Sequence, residues 1–377
     1  MPASGSMRLV AGCMTGTSID ALDCALVRID GHGLRMRATL LATRSCDLGR
    51  LRPALRSFAE QRPMSAGEIA ALTHDFAKLH ADVLSDLRAD HGLDLICVHG
   101  QTVFHAPPVS WQLMNPWPIV RRLGVPVVFD LRAADLASGG QGAPITPLAD
   151  YLLFSPHERL QPRCCVVNLG GFANATAIGT QASGSASTPT IEGFDICACN
   201  QLLNLIARTK LNAEYDEDGD GAGRGRIDAA ASEQLASILL ESRQKQRSLG
   251  TGDESFGWIH SHTERMNGED MSATACDAIA RTIAAQCKDF GPMAVAGGGV
   301  KNRTLVESLR RHAASAAGGR VSLSDDFGVP AEYREAMEFA VLGALCQDGV
   351  PITVPTVTKV CSPAPLSGSW AYPTPRE

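Results

Sequence analysis

The chain opens with an apolar run at 7–13, a turn at 14–18, and a second apolar run at 21–29 rich in β-branched residues. This pattern predicts a strand, a Gly/Thr/Ser turn and a returning strand. The same pattern recurs in the second half. An apolar strand at 164–169 meets the turn Gly170-Gly171-Phe172-Ala173-Asn174, and a strand returns at 175–178. Two such hairpins in a chain of 377 residues suggest duplicated α/β domains that each begin with a glycine-turned hairpin. Between them, Ile69, Leu72, Phe76, Leu79, Val83 and Leu87 recur at helical spacing and predict a helix over 66–90. Further strands are predicted at 93–98, 125–129 and 293–296, and further helices at 272–287, 304–312 and 335–346. Low-complexity TQASGSASTPT (180–190) reads as a mobile surface loop, ASGGQGAPITP (137–147) as a functional loop or hinge, and the proline-rich tail from Cys361 as irregular.

Composition narrows the class. With 45% hydrophobic and 20% charged residues, the chain can fill a sizeable core, and with 5% aromatics that core must be mostly aliphatic. A net charge of -6 argues against a nucleic-acid partner. No apolar run is long enough to span a bilayer, and the first residues do not read as a signal peptide, so no membrane partner and a cytoplasmic location are expected. The 12 cysteines are scattered without metal-site spacing and read as reduced thiols.

Chemistry concentrates at strand ends. Glycine turns around Gly16, at Gly170-Gly171 and at Gly297-Gly298-Gly299 would let backbone N–H groups approach a phosphate chain. None fits a P-loop or a dinucleotide fingerprint. Thr15, Thr17 and Ser18 add hydroxyls, and Asp20 and Asp23 add carboxylates suited to Mg²⁺-bound phosphate. Asn302 could cap the helix that follows it. The acidic run Asp216–Asp220 lacks the glutamate that closes a calcium loop and reads as an acidic surface loop. Asp195, at an expected strand end, could be a general base or a capping carboxylate. His99, Gln101, Arg132, Asp135 and Glu335 read as pocket residues or as satisfied buried polar groups.

Taken in order, GCMTGTSIDALDCALV (12–27), HGQTVFH (99–105), DLRAADLASGGQGAPITP (130–147), VNLGGFANAT (167–176), YDEDG (215–219), AGGGVKN (296–302) and EAMEFA (335–340) make the chain resemble the anhydro-N-acetylmuramic acid kinase family almost end to end. The resemblance implies two RNase H-like (actin/sugar-kinase-like) α/β domains flanking an ATP-binding cleft. They are expected over 1–150 and 151–377, with the last helix able to pack back on the first. It implies ATP and Mg²⁺, a small anhydro-sugar substrate and a homodimer. It assigns catalysis to Asp195, and ATP phosphate to Gly16, Thr17, Ser18, Ile19, Asp20, Ala21, Leu22 and Asp23, with Asp20 toward Mg²⁺. Gly170, Gly171 and Asn174 would form a second phosphate turn; Gly297, Gly298, Gly299 and Asn302 would face adenosine. His99, Gln101, Arg132, Asp135 and Glu335 fall on the sugar side. The activity implied is hydrolytic opening of 1,6-anhydro-N-acetylmuramic acid with phosphorylation of O6. The family reads GFDTGPGN where this chain has GFDICACN (193–200), and glycine where it has Ala21. A glycine cradle at 196–199 would therefore be filled by side chains. That departure keeps two other readings open: a kinase of another 1,6-anhydro sugar such as levoglucosan, and a non-catalytic nucleotide- or sugar-binding protein.

Overall fold

Both sheets are organised by a strand that is apolar on both faces. The computed structural model describes residues 7–16, 18–89, 91–183, 186–244, 253–315 and 319–374. In the first unit, β1 (Arg8–Thr15) runs antiparallel to β2 (Ala21–Asp30), and β2 antiparallel to β3 (Arg37–Asp47). On its other side β1 pairs in parallel with β4 (Leu95–Val98). A separate hairpin follows, β5 (Gln101–Ala106) with β6 (Val109–Leu113), before β7 (Val127–Phe129) joins β4 in parallel. The five strands lie in the order β3-β2-β1-β4-β7.

The second unit repeats the plan. β8 (Arg163–Leu169), β9 (Phe172–Ser183) and β10 (Ala186–Ala198) form an antiparallel meander. β11 (Met293–Ala296) and β12 (Val321–Leu323) add in parallel beyond β8, giving β10-β9-β8-β11-β12. Both sheets therefore carry the 3-2-1-4-5 order of an RNase H-like fold, with two antiparallel hairpins on one side and parallel strands on the other.

The units are not the contiguous stretches 1–150 and 151–377. One comprises Met1–Pro156 with Tyr333–Glu377, the other His157–Glu332. The reason is the Arg334–Gln347 helix, which packs on β1, β2 and β4. Gly12 makes that seat: a Cβ there would stand 2.0 Å from the Ala336 carbonyl oxygen and 2.3 Å from the Ala340 nitrogen. Arg8 at the start of β1 holds the far end of this helix through Asp348, at 2.6 and 2.7 Å in a buried bidentate pair. The tail is not wholly irregular either. β13 (Ser369–Ala371) pairs antiparallel with β7 and extends the first sheet. Three residues carry too little periodicity to show in the sequence, but β7 offers an open edge that satisfies their backbone groups.

The helical spacing at 66–90 gives the Ala66–Arg88 helix, closed at its start by a capping box between Ser65 and Glu68. Leu72, Phe76, Val83 and Leu87 are buried on its inner face. In the second unit the Gly268–Cys287 helix lies in the core, which is mostly alanine, leucine, isoleucine and cysteine, as a chain poor in aromatics requires. The 180–190 stretch corrects the expected loop. β9 and β10 run through it, with Thr180 opposite Pro189 and Ser183 opposite Ala186; residues 184–185 lie outside the described residues. Ladder hydrogen bonds belong to the backbone, so small polar residues can continue a ribbon. Proline is tolerated because β10 is the sheet edge.

Candidate functional site

In the first unit, polar residues gather at the C-terminal ends of β1, β4 and β7. The turn after β1 closes with the Ile19 N–H donating to the Gly16 carbonyl at 3.2 Å. Ile19 holds φ 52 while its side chain is buried in the core, so a β-branched residue sits in the left-handed region. Packing, rather than glycine, fixes this turn. Leu22 is also fully buried, so Ile19 and Leu22 can serve a ligand only through their backbones. Asp20 Oδ1 accepts from Ser18 Oγ at 2.7 Å and from the Ala21 N–H at 3.0 Å. Asp23 accepts from Ser45 Oγ at 2.6 Å. Thr17 lies outside the described residues.

Two cations unforeseen in the sequence tie this turn down. Arg52 and Arg56 project from the Arg52–Ala59 helix and donate to the carbonyls of Asp20 (2.7 Å) and Ser18 (3.2 Å). Arg52 also pairs with Asp47 at 2.7 Å. No local pattern marks them, because their partners are backbone oxygens over thirty residues away.

The sugar-side candidates divide by how they are engaged. His99 and Arg132 come together: Arg132 donates from Nη2 to His99 Nε2 at 3.0 Å and from Nη1 to the Gly142 carbonyl at 2.8 Å. Burial and the Arg132 charge hold the His99 imidazole down at about 3, so it is neutral, and its Nδ1 hydrogen goes to the Gly100 carbonyl at 2.8 Å. Burial lowers Arg132 to about 10 against the opposing charge of Glu335, which places Glu335 in the same electrostatic cluster. Phe339, one turn on from Glu335, lies 4.9 Å from the His99 ring.

Asp135 is committed elsewhere. Its Oδ2 accepts from the Gly142 N–H at 2.7 Å and its Oδ1 from Thr358 Oγ at 2.8 Å, all buried. Gln101 is 1% exposed; it donates to the Thr102 carbonyl at 3.2 Å, while its Oε1 has no partner among the described residues. Asp130 opens the motif at 130–147 directly after the strand β7. It is half-buried with φ 53, and burial alone raises its carboxyl.

In the second unit the register builds one polar row. Asn168 on β8 stands opposite Asn174 on β9, and Asn174 opposite Asp195 on β10. Directly opposed residues share a face. The neighbours Val167, Leu169, Ala173 and Ala175 point to the core on the other face. Asp195 is exposed, and it sits within β10 rather than at its end, just before a bulge between Asp195 and Cys197. The bulge re-aims the strand, and Ile196, Cys197, Ala198 and Cys199 are all buried in the core. The replacements in GFDICACN are therefore absorbed by the core and do not cover Asp195's face. Asn168 is a further polar position; its signal was an asparagine inside an otherwise apolar strand.

The Gly170-Gly171 turn receives the start of the Asn200–Ile206 helix. The N–H groups of Cys199 and Gln201 donate to the Gly171 carbonyl, and that of Asn200 to the Gly170 carbonyl, at 2.9–3.1 Å. At the third turn, a Cβ on Gly297 (φ 86) would stand 2.4 Å from Asn168 Oδ1, and one on Gly299 2.7 Å from Leu169 Cβ. Gly298 alone of the three has open space around it. Asn302 caps the Arg303–Ser315 helix, its Oδ1 accepting from the Leu305 N–H at 2.9 Å. In the acidic run, Asp216 turns inward to accept from the Gly221 and Ala222 N–H groups at 2.7 and 2.8 Å.

Two RNase H-like units in one chain, each opening on an antiparallel hairpin, are the architecture of the actin-like and sugar-kinase class. Within that class the assignment is specific, since the model of the anhydro-N-acetylmuramic acid kinase family matches residues 8–372. The chain is 33% identical to the anhydro-N-acetylmuramic acid kinase of Gloeobacter violaceus over 95% of its own length and 97% of the relative's. It is 33% identical to that of Vibrio vulnificus over 93% and 95%. The chain belongs to the anhydro-N-acetylmuramic acid kinase family.

Proposed function

We propose that this protein is an ATP-dependent anhydro-sugar kinase that opens 1,6-anhydro-N-acetylmuramic acid with water and phosphorylates O6, giving N-acetylmuramic acid 6-phosphate. Membership in the family is the observation that carries the reading. The exposed Asp195 carboxylate, in its row with Asn174 and Asn168, supports the base role at residue level.

In this reading Asp195 takes a proton from a water that attacks C1. The C1–O6 bond breaks, its electron pair goes to O6, and O6 attacks the γ-phosphorus while the bond to the ADP oxygen breaks. The proton leaves Asp195 for solvent. No covalent enzyme intermediate is formed; positioning and charge neutralisation supply the catalysis. Gly16–Asp23 would hold the phosphates, with Arg52 and Arg56 keeping that turn in shape. Asp20 would take Mg²⁺, and a single exposed carboxylate suits that ion, which fills its remaining positions with phosphate oxygens and water. Bound there, Mg²⁺ would neutralise developing charge on the phosphates. His99, Arg132 and Glu335 would hold the sugar, and Gly298 and Gly170-Gly171 the nucleotide. Asp135 and Asn302 would act through the loops and helix they pin. A homodimer and a cytoplasmic location belong to the same proposal.

The test is coupled ADP release with the anhydro sugar, with the product identified by mass. Asp195→Asn should lose at least roughly a hundredfold in kcat, the scale of a lost general base, at an unchanged melting temperature. Full activity in that variant would remove Asp195 from the base role. Absence of sugar-dependent ADP release by the unmodified protein would sink the function.

A further inference from the structure

We propose that Asp130 is a substrate-binding residue of the first unit, its carboxylate and Gln101 Oε1 together accepting hydrogen bonds from hydroxyl or N–H groups of the sugar. This rests on the anhydro-sugar kinase reading and names two acceptors in its sugar site.

The argument starts from the sheet. β4 and β7 are parallel neighbours with Ile96 opposite Val127 and Cys97 opposite Val128. β4 ends at Val98 and β7 at Phe129, so His99 and Asp130 each directly follow the C-terminal end of their strand. On the other side of β4, Cys13 of β1 is opposite Val98. Thr15, His99 to Gln101, and Asp130 to Arg132 therefore share one edge of the first sheet, where ligands bind in α/β folds.

Three polar groups on this edge lack partners among the described residues. Gln101 Oε1 and Thr15 Oγ1 are buried and unpaired, in residues 1% and 2% exposed. Asp130 is half-buried, and no hydrogen bond or opposite charge lowers its carboxyl. The nearest cation in sequence, Arg132, is occupied by His99 and the Gly142 carbonyl. Buried acceptors without donors are unfavourable unless something supplies the hydrogen. The Asp130 backbone adds a second cost, φ 53 at the point where β7 ends. Among the described residues no donor is shown for Gln101 Oε1 or the Asp130 carboxylate, whereas a ligand presenting O–H or N–H groups would supply one. The nearby acid Asp135 is engaged at both oxygens, by the Gly142 N–H and by Thr358 Oγ, so it is Asp130 and Glu335 that remain as acids for a ligand.

Asp130→Asn and Asp130→Gly test this, since both residues tolerate the left-handed backbone. The expected result is a sugar KM raised roughly tenfold by Asn and roughly a hundredfold by Gly, the range for a lost hydrogen bond to a charged group. The ATP KM should stay within about twofold, and the melting temperature should hold or rise as strain is relieved. A sugar KM within twofold of the parent in both variants overturns the proposal, as does a lowered melting temperature with unchanged KM.

A second arm measures the melting-temperature rise caused by anhydro sugar without ATP. If the unmodified protein binds sugar but does not turn it over, the kinase reading fails, while loss of the shift in Asp130→Gly still supports Asp130. If the parent shows no shift with any anhydro sugar, the proposal falls. Comparing 1,6-anhydro-N-acetylglucosamine with levoglucosan identifies the donor. A penalty larger for the acetamido sugar assigns the N–H; an equal penalty assigns a hydroxyl.

Discussion

Asp135 separates a residue that builds the site from one that touches substrate, and the structure gives the sizes. Both its oxygens are used: the Gly142 N–H at 2.7 Å on Oδ2 and Thr358 Oγ at 2.8 Å on Oδ1, with Asp135 1% and Thr358 0% exposed. Asp135→Ala deletes both acceptors and leaves a buried N–H unpaired. At about 1.5–3 kcal/mol for each of the two hydrogen bonds to a charged group, the loss should be about 3–6 kcal/mol. Asp135→Asn is milder. Its amide oxygen can face the Gly142 N–H, and its NH₂ can face Thr358, whose hydroxyl can turn to the Val354 carbonyl 3.5 Å away. Both bonds survive without charge assistance, at a loss of about 1–2 kcal/mol.

Urea unfolding followed by tryptophan fluorescence measures these losses as midpoint shifts at constant slope. Kinetics supply the second readout. Gly142 holds Arg132 and Arg132 holds His99, so Asp135→Ala should also raise the sugar KM by loosening that chain. Asp135→Asn should leave it within about twofold. Unchanged stability with a tenfold higher sugar KM in Asp135→Asn would refute the reasoning and return Asp135 to direct contact with substrate.

Acid should weaken the fold through two buried neutral histidines. Burial holds His80 down at about 4 and His99 at about 3, while an unfolded imidazole titrates near ~6.5. Between these values the unfolded chain binds protons that the folded one refuses. Stability is therefore fully present above pH ~6.5 and falls as the pH drops toward 4, by at most about 1.4 kcal/mol per pH unit for each residue. Urea midpoints at pH 7 and 5 should show this, and His80→Leu should flatten the slope; an unchanged slope would clear His80. Gly298→Ala should melt within about 0.5 kcal/mol of the parent, whereas Gly297→Ala, at φ 86 and 2.4 Å from Asn168 Oδ1, should lose about 1–3 kcal/mol. Equal melting curves would refute the packing described there. Arg52→Gln should raise the ATP KM severalfold and leave the sugar KM unchanged, because its contact is to the turn carbonyl of Asp20; equal changes in both would argue for general loosening.

The hairpin-first halves, the long helix at 66–88 and the strand at 293–296 were legible because each has a local cause. Period-two or helical apolar spacing buries one face, and glycine or a capping serine ends the element. The ordered motifs likewise mark the family in the sequence itself. What stayed illegible was set by contacts distant in sequence. β13 exists only because β7 leaves an edge open to it. The last helix was expected to be able to return to the first unit, but not its seat on Gly12, where a Cβ would collide with the helix backbone.

The candidate site divides along the same line. The sequence determined which polar residues stand at strand ends, because a polar residue interrupting an apolar run is visible in one dimension. Tertiary structure decided what each of them does. Register set Asn168, Asn174 and Asp195 in a row, and the bulge after Asp195 sent Ile196 to Cys199 into the core. Packing committed Asp135 to Gly142 and Thr358 and left Asp130 half-buried at the end of β7. The physical reason is that a side chain's chemistry depends on which donors and acceptors reach it, and those arrive from residues that only the folded chain brings near.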